Sequence, residues 1–294
     1  MNINGFGIKK ILGSVSKPAD YEMSDSQSSQ SKPRVPPDKY CDIPENHPES
    51  SEQIEFIRDE LRRLVEVNYD VSKLLSEQRT LLENIGPKIK FLEFPGSLVT
   101  DEALDMIVKV FPNLESLDLK VALHVTGKGC KSLASLQLKA LYIREPMTFL
   151  GPEILDVISN MPLQKLWLSS ATCSFEGFAQ MEKLRLLKVL FLREVKWSAW
   201  NAKPIEDGEA LKYLTFCPLK YLDLYGTKTT DRDLKHILNL PLEYICLENC
   251  KVTKEGFAAF SKAFPITEMH HSVLPKAPLE IKSQDKTGRD EKKS

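Results

Sequence analysis

From Ile89 onward the chain repeats one six-residue block with apolar residues at positions 1, 4 and 6. The blocks open at Ile89, Leu114, Leu138, Leu163, Leu187, Leu219 and Leu242, and a degenerate eighth at Ile266 closes the array. Their starts lie 25, 24, 25, 24, 32, 23 and 24 residues apart, the mark of one supersecondary unit stacked many times. Apolar and polar residues alternate across the end of each block, which predicts a short strand. A second signature follows several blocks: Val99–Leu104, Val125–Cys130, Cys173–Phe178, Thr229–Leu234 and Val252–Phe257. Its Thr or Ser predicts the N-cap of a short helix with apolar residues facing inward. Pro112, Pro162, Pro218, Pro241 and Pro265 then stop the chain before the next block.

The hydrophobic pattern changes upstream of the array. A single leucine, Leu12, precedes Leu61. Residues 1–50 are rich in Ser, Pro, Gln and charge, and cannot bury enough apolar surface to offset their ordering entropy, so disorder is expected. Residues 276–294 form a charged tail of the same kind. Between them, residues 51–87 predict a helix of about nine turns. Ser50–Gln53 makes a capping box, Ile54–Ile85 holds neither Gly nor Pro, and Gly86-Pro87 is the stop. Ile57, Leu61, Leu64, Asn68, Val71, Leu75, Gln78, Leu82 and Ile85 follow alternating spacings of four and three, a heptad seam. Two readings stay open: a cap over the exposed end of the array, or a homodimer through 54–85.

These blocks resemble the leucine-rich repeat family, in the ribonuclease-inhibitor-like or cysteine-containing subtype found in many F-box proteins. The resemblance covers residues 88–272. It implies an α/β leucine-rich repeat solenoid of about eight strand-turn-helix repeats, with a parallel sheet on its concave face. The repeat domain is bounded at 88–275. The chain departs from the family three residues after each block, where Asn or Cys is usual. It has Ser97, Ala122, Pro146, Ala171, Val195, Thr227 and a single Cys250 there, so poorly hydrogen-bonded turns and irregular curvature are expected. The resemblance also implies protein recognition rather than catalysis.

Residues between the leucines point into the concavity and form columns. The central column reads Glu93, Asp118, Tyr142, Trp167, Phe191, Asp223, Cys246 and His270. Neighbouring strands lie about 4.8 Å apart, so Tyr142, Trp167 and Phe191 form a continuous aromatic stripe. Tyr221, Tyr225 and Tyr244 extend it, with Arg144, Lys165 and Arg193 alongside. Gathered Trp, Tyr and Arg match the composition of interface hot spots, so these nine side chains are candidate partner-binding residues. The one long repeat adds Trp197 and Trp200 in a loop at the rim beside Phe191, where insertions often map to the binding face.

Composition and charge narrow the function further. Across 294 residues, 40 Lys+Arg meet 41 Asp+Glu for a net charge of −1, which argues against a general nucleic-acid binder. Six scattered cysteines form no disulfide framework or zinc ribbon, so a reducing, cytoplasmic setting is expected. No apolar run approaches the roughly 20 residues of a membrane helix. Residues 1–17 read as neither a secretory signal nor an Arg-rich transit peptide.

Asp223, Cys246 and His270 share a column, but the Asp flanks the Cys and cannot orient the His as a triad requires. Cys246, Cys250 and His270 or His271 make an incomplete metal set. Gly127–Ser132 lacks phosphate-loop spacing. No catalytic residue, metal or cofactor is assigned, and the expected role is a non-enzymatic module for a protein partner of unknown identity. The alternatives are a substrate-recognition subunit of a ubiquitin ligase, a bacterial effector secreted into host cytosol, and a scaffold joined through 54–85. Residues 51–87 lack the Leu-Pro start and Trp-containing end of an F-box.

This reading separates core from surface. Leu222→Ala is expected to cost about 2–5 kcal/mol in chemical denaturation. Trp167→Ala with Phe191→Ala, taken as solvent-facing, is expected to abolish partner binding with the melting temperature nearly unchanged.

Overall fold

The computed structural model describes Glu83 and residues 86–94, 99–120, 125–144, 150–198, 209–264 and 267–271. The expected disordered segment 1–50, the tail 276–294 and Trp200 lie outside the described residues. So does the helix of residues 51–87, apart from Glu83 and a 3-10 turn at Gly86–Lys88, where the sequence places the stop.

The blocks form strands β1 (Phe91–Phe94), β2 (Ser116–Lys120), β3 (Ala140–Arg144) and β4 (Lys165–Ser169). β5 (Thr172–Ser174) and β7 (Lys196–Ser198) flank β6 (Val189–Phe191) in the chain, and β8 (Tyr221–Asp223), β9 (Tyr244–Leu247) and β10 (Glu268–His271) complete the set. Eight of them make one sheet in the order β1-β2-β3-β4-β6-β8-β9-β10, and every adjacent pair is parallel. β5 and β7 form a separate two-stranded ladder beyond the ends of β4 and β6. Return segments carry helices α1 (Asp101–Val110), α2 (Gly127–Leu133), α3 (Pro152–Ser159), α4 (Phe175–Phe178), α5 (Asp231–Leu234) and α6 (Lys254–Ala263). In the long repeat a 3-10 turn, Ala210–Leu214, takes the helix's place. Sequential parallel strands, each joined by a return across one face, make this an α/β leucine-rich repeat solenoid.

The leucine pattern sets this architecture. Block position 4 is Leu92, Leu117, Leu141, Leu166, Leu190, Leu222 and Ile245, and each is fully buried between sheet and return segments. Burying one such side chain contributes about 1.5–3 kcal/mol. Register is fixed one residue before each strand. The carbonyl of Lys90 accepts from the amides of Glu115 (2.8 Å) and Ser116 (2.9 Å), and Glu115, Lys139, Gln164, Lys188 and Lys220 repeat this double acceptance.

The turns at Ser97, Ala122 and Pro146 lie outside the described residues; those after β4, β6 and β8 correct one expectation. Block position 8 is left-handed at Ser170 (φ 54°), Glu194 (φ 56°), Gly226 (φ 67°) and Asn249 (φ 58°). The amides of Ser170, Glu194 and Gly226 donate to Arg193, Tyr225 and Glu248 carbonyls one repeat on, at 2.9, 2.7 and 2.9 Å. Main-chain bonds therefore continue the ladder without the usual Asn or Cys. Side chains add to this at Ser170, whose hydroxyl donates to Glu194 Oε2, and at the last turns, where Thr227 Oγ1 and Cys250 Sγ both donate to the Leu224 carbonyl.

The predicted caps form. Thr100, Thr126, Ser174 and Thr253 accept from amides in the first turn of their helices, and the Asp233 carboxylate closes a box on Thr230. Two caps also bridge repeats. The Asp101 carboxylate accepts from the amide (2.7 Å) and hydroxyl (2.5 Å) of Thr126, and Asp231 does the same for Thr253 (2.9 and 2.7 Å). This explains the glycine three residues after each of these threonines. A Cβ at Gly129 or Gly256 would collide with Asp101 or Asp231, and one at Gly177 would meet Pro152 at 2.8 Å.

In an isolated helix Gly256→Ala gains about 1 kcal/mol. Here it is expected to destabilise by about 1–3 kcal/mol through overpacking. The obstructing atoms belong to the Asp231 side chain, so Asp231→Ala in the same chain should recover the difference in a double-mutant cycle read by urea denaturation.

Candidate functional site

The face of the sheet opposite the return segments carries the central column in the predicted register: Glu93, Asp118, Tyr142, Trp167, Phe191, Asp223, Cys246 and His270 pair strand to strand. Its aromatics make a continuous stack that steps sideways at β8. Trp167 and Phe191 lie face to face at 4.0 Å, Phe191 meets Tyr221 at 5.1 Å, and Tyr221 stacks on Tyr244 at 4.1 Å. Tyr142 tilts against Trp167 at 6.2 Å. The step occurs because Asp223 occupies the central position on β8, so the stack passes to the flanking column that carries Tyr221 and Tyr244.

The stripe is therefore where the sequence places it, but it is not solvent-facing. Trp167 is 5% exposed and Phe191 fully buried, and Tyr221 and Tyr244 are buried with them in a second apolar cluster. Rings at strand spacing cover one another's faces, which the column alone does not reveal. Lys165 is buried as well, 1% exposed, with Nζ 5.4 Å from the Tyr142 ring centre. Partly exposed above this floor are Tyr142, Arg144, Arg193 and Tyr225. Lys196–Ser198 leaves this edge as β7, paired with Thr172–Ser174, so the main chain at Trp197 belongs to a ladder rather than a free loop.

Two carboxylates that sequence reasoning did not assign hold the arginines. Arg144 pairs with Asp118, and its guanidinium carbon lies 4.9 Å from the Trp167 ring centre. Arg193 Nη1 lies 3.5 Å from Asp223 Oδ2, with its guanidinium 4.5 Å from the Tyr225 ring centre. Each pair is a diagonal one, central column against third column on the neighbouring strand, so the signal was present once the columns were aligned. Burial raises the Asp223 carboxyl above its ordinary value, although the Tyr225 amide and the Arg193 charge pull it down. Two donors in this layer stay unmet among the described residues: Trp167 Nε1 and Arg144 Nε are buried without an acceptor. A buried donor left so costs about 1–3 kcal/mol.

The site offers no reactive thiol. Burial, with the nearby Asp223 charge, pushes the Cys246 thiol up to about 12, so it is protonated at neutral pH. The remaining described cysteines are free thiols raised in the same way, to about 12 at Cys130 and Cys173 and about 11 at Cys217 and Cys250. No helix among the described residues is long and apolar enough to cross a membrane. Among the described residues the large exposed apolar side chains are Leu186, Phe216 (56% exposed) and Leu238, on the turns before the strands, which the repeat pattern did not single out.

No family model matches the chain, and no curated protein matches it. Among solved structures it is similar to internalin C2 of Listeria monocytogenes, at 17% identity and TM-score 0.43, over 68% of this chain and 79% of that one. An internalin (inlF) of the same organism matches at 18% identity and TM-score 0.44, over 67% of this chain and 54% of that one. The Rad7 and Elc1 complex of yeast contributes a match at 15% identity and TM-score 0.29, over 71% and 79%. The fold assignment rests on the chain's own strand register and repeat.

Burial of the stack reverses the stability expectation for its rings. Phe191→Ala is expected to cost about 3–5 kcal/mol in chemical denaturation, as much as a leucine of the inner core. A loss below about 1 kcal/mol would return Phe191 to the surface.

Proposed function

We propose that the chain is a non-enzymatic protein-binding module whose partner docks on the open face of the sheet, over Tyr142, Arg144, Arg193 and Tyr225. The observation that carries this reading is a layer of partly exposed Tyr and Arg side chains held in place before any partner arrives. Arg144 and Arg193 are fixed by Asp118 and Asp223 and lie against aromatic rings, and the floor beneath them is a buried ring stack. Tyr and Arg are the residues that anchor interface cores, and prior ordering lowers the entropic cost of binding. Lys165, Trp167, Phe191, Tyr221 and Tyr244 then act as the support of this layer, not as its contact surface. The main chain at Trp197 is held in β7, and Trp200 lies outside the described residues. A net charge of −1 fits a protein partner better than nucleic acid.

Within the leucine-rich repeat class, the Thr-capped helices and the Cys250 bond to the Leu224 carbonyl support the ribonuclease-inhibitor-like, cysteine-containing subtype. The five described cysteines are free thiols, which fits a reducing compartment. The narrower assignments separate by what accompanies the partner. Ligase core subunits in the captured complex would specialise the module as a substrate receptor, host proteins alone as an effector, and a second copy of the chain as a dimer through 54–85.

The test is crosslinking capture with the full chain from native cells, followed by affinity measurement for the captured protein. Tyr142→Ala with Tyr225→Ala is expected to weaken binding about tenfold or more, worth about 1.4 kcal/mol or above. Phe216→Ala, on the turn before β8, should leave it unchanged. Equal affinity for all three chains would remove the open face as the docking surface.

A further inference from the structure

Among the described residues three large apolar side chains are exposed, and all three stand on one edge of the molecule. Leu186, Phe216 and Leu238, at 53, 56 and 41% exposed, lie on the turns before β6, β8 and β9, which are successive strands of the sheet. The matching turns before β2, β3 and β4 expose Asn113, Ser135, Gln137 and Asn160 instead. The repeat therefore does not require an apolar residue here, and side chains this exposed add little to the core. Apolar residues scattered singly over a surface need no account, whereas one on each of three neighbouring repeats makes a row.

The row is bordered by cations. Residues 182–188, 212–220 and 235–243 hold six Lys and Arg against two Glu. Lys183, Lys212 and Lys220 are paired, with Asp156, Glu209 and Glu243. Arg185 and Lys235 have no acidic partner among the described residues. Arg185 instead lies over the Phe216 ring, its guanidinium carbon 4.6 Å from the ring centre, which joins the turn before β6 to the turn before β8. A guanidinium stacked on a ring keeps its in-plane N–H groups for a carboxylate, a fork that an ammonium cannot offer. Lys235 opens the 3-10 turn Lys235–Ile237, three residues ahead of Leu238, so the two stand on one side of that turn.

Apolar anchors beside uncommitted cations fit one chemistry, an acidic segment that also carries apolar residues. Neighbouring strands lie about 4.8 Å apart, so anchors on three repeats span about 10 Å. Residues i, i+4 and i+7 of a helix cover about the same distance at 1.5 Å per residue.

We propose that the edge bearing Leu186, Phe216 and Leu238 is a second docking surface, and that its occupant is an acidic amphipathic helix of a protein partner. Apolar side chains of that helix pack on the row, and its carboxylates meet Arg185 and Lys235. The surface is separate from the open face, whose side chains stand on the strands themselves, and the proposal holds whichever partner that face takes.

The probe is a fluorescein-labelled peptide of about 15 residues with leucines at i, i+4 and i+7 and Glu and Ala elsewhere, titrated into the full chain and followed by anisotropy. Saturable binding that weakens as salt rises is expected. Phe216→Ala with Leu238→Ala removes two exposed anchors, and Arg185→Glu reverses an unpaired charge. Each is expected to weaken the peptide about tenfold or more with the melting temperature nearly unchanged. The same peptide with Lys in place of Glu should not bind. No saturable binding, undiminished affinity in both variants, or equal binding of the Lys peptide would each overturn the proposal.

Two other occupants have their own readouts. Sedimentation of the chain with phosphatidylserine vesicles, lost in Arg185→Glu while the peptide fails to bind, assigns the edge to an anionic membrane and overturns the helix. A dimer in light scattering that Phe216→Ala with Leu238→Ala dissolves assigns it to a second copy of the chain, with the same consequence.

Discussion

From the first block to the sixth, one carbonyl at the second position of the block accepts from two successive amides of the block that follows. That double acceptance recurs from Lys90 to Lys220, and it fixes strand register before the strand has begun. A slip of one residue would turn every leucine of a block out of the core, so the apolar pattern and the carbonyl row enforce the same alignment. Everything on the open face follows from it. Trp167 can stack on Phe191, and Tyr221 on Tyr244, only because those residues stand at one height on neighbouring strands.

Most of this scaffold was legible in the sequence. The blocks gave the strands, the second signature gave the caps, and the columns gave the order of the side chains on the open face. What the pattern could not express was the relation of one repeat to its neighbour. The glycines at 129 and 256 look like weak points in short helices until Asp101 and Asp231 are placed beside them. Gly226 and Asn249 suit a left-handed turn, whereas Ser170 and Glu194 do not advertise one, and tertiary register imposes it on them. The turns looked deprived of their Asn and Cys bonds because main-chain ladders leave no trace in residue identity.

The candidate site shows the same division. The aromatic stripe was read from spacing, yet its burial was not, since a column predicts which rings are neighbours and not how closely they overlap. Stacking turns the stripe from a contact surface into a platform. The working layer is then formed by residues at its margins, where Asp118 draws Arg144 across one end and Asp223 draws Arg193 across the other. The arrangement is close to a mirror image, with the acid preceding its arginine in the first pair and following it in the second. A surface assembled this way spends little further order when a partner settles on it.

The carboxylate staples on the helix caps are not spread evenly. Among the described residues, Asp101 joins α1 to α2 at the start of the array and Asp231 joins α5 to α6 at its end, while Pro152 against Gly177 fills the equivalent place in the middle by shape alone. Stacked repeats ordinarily loosen from their termini, where each unit has one neighbour instead of two. The two capping carboxylates therefore brace the array at the helices where such loosening would begin.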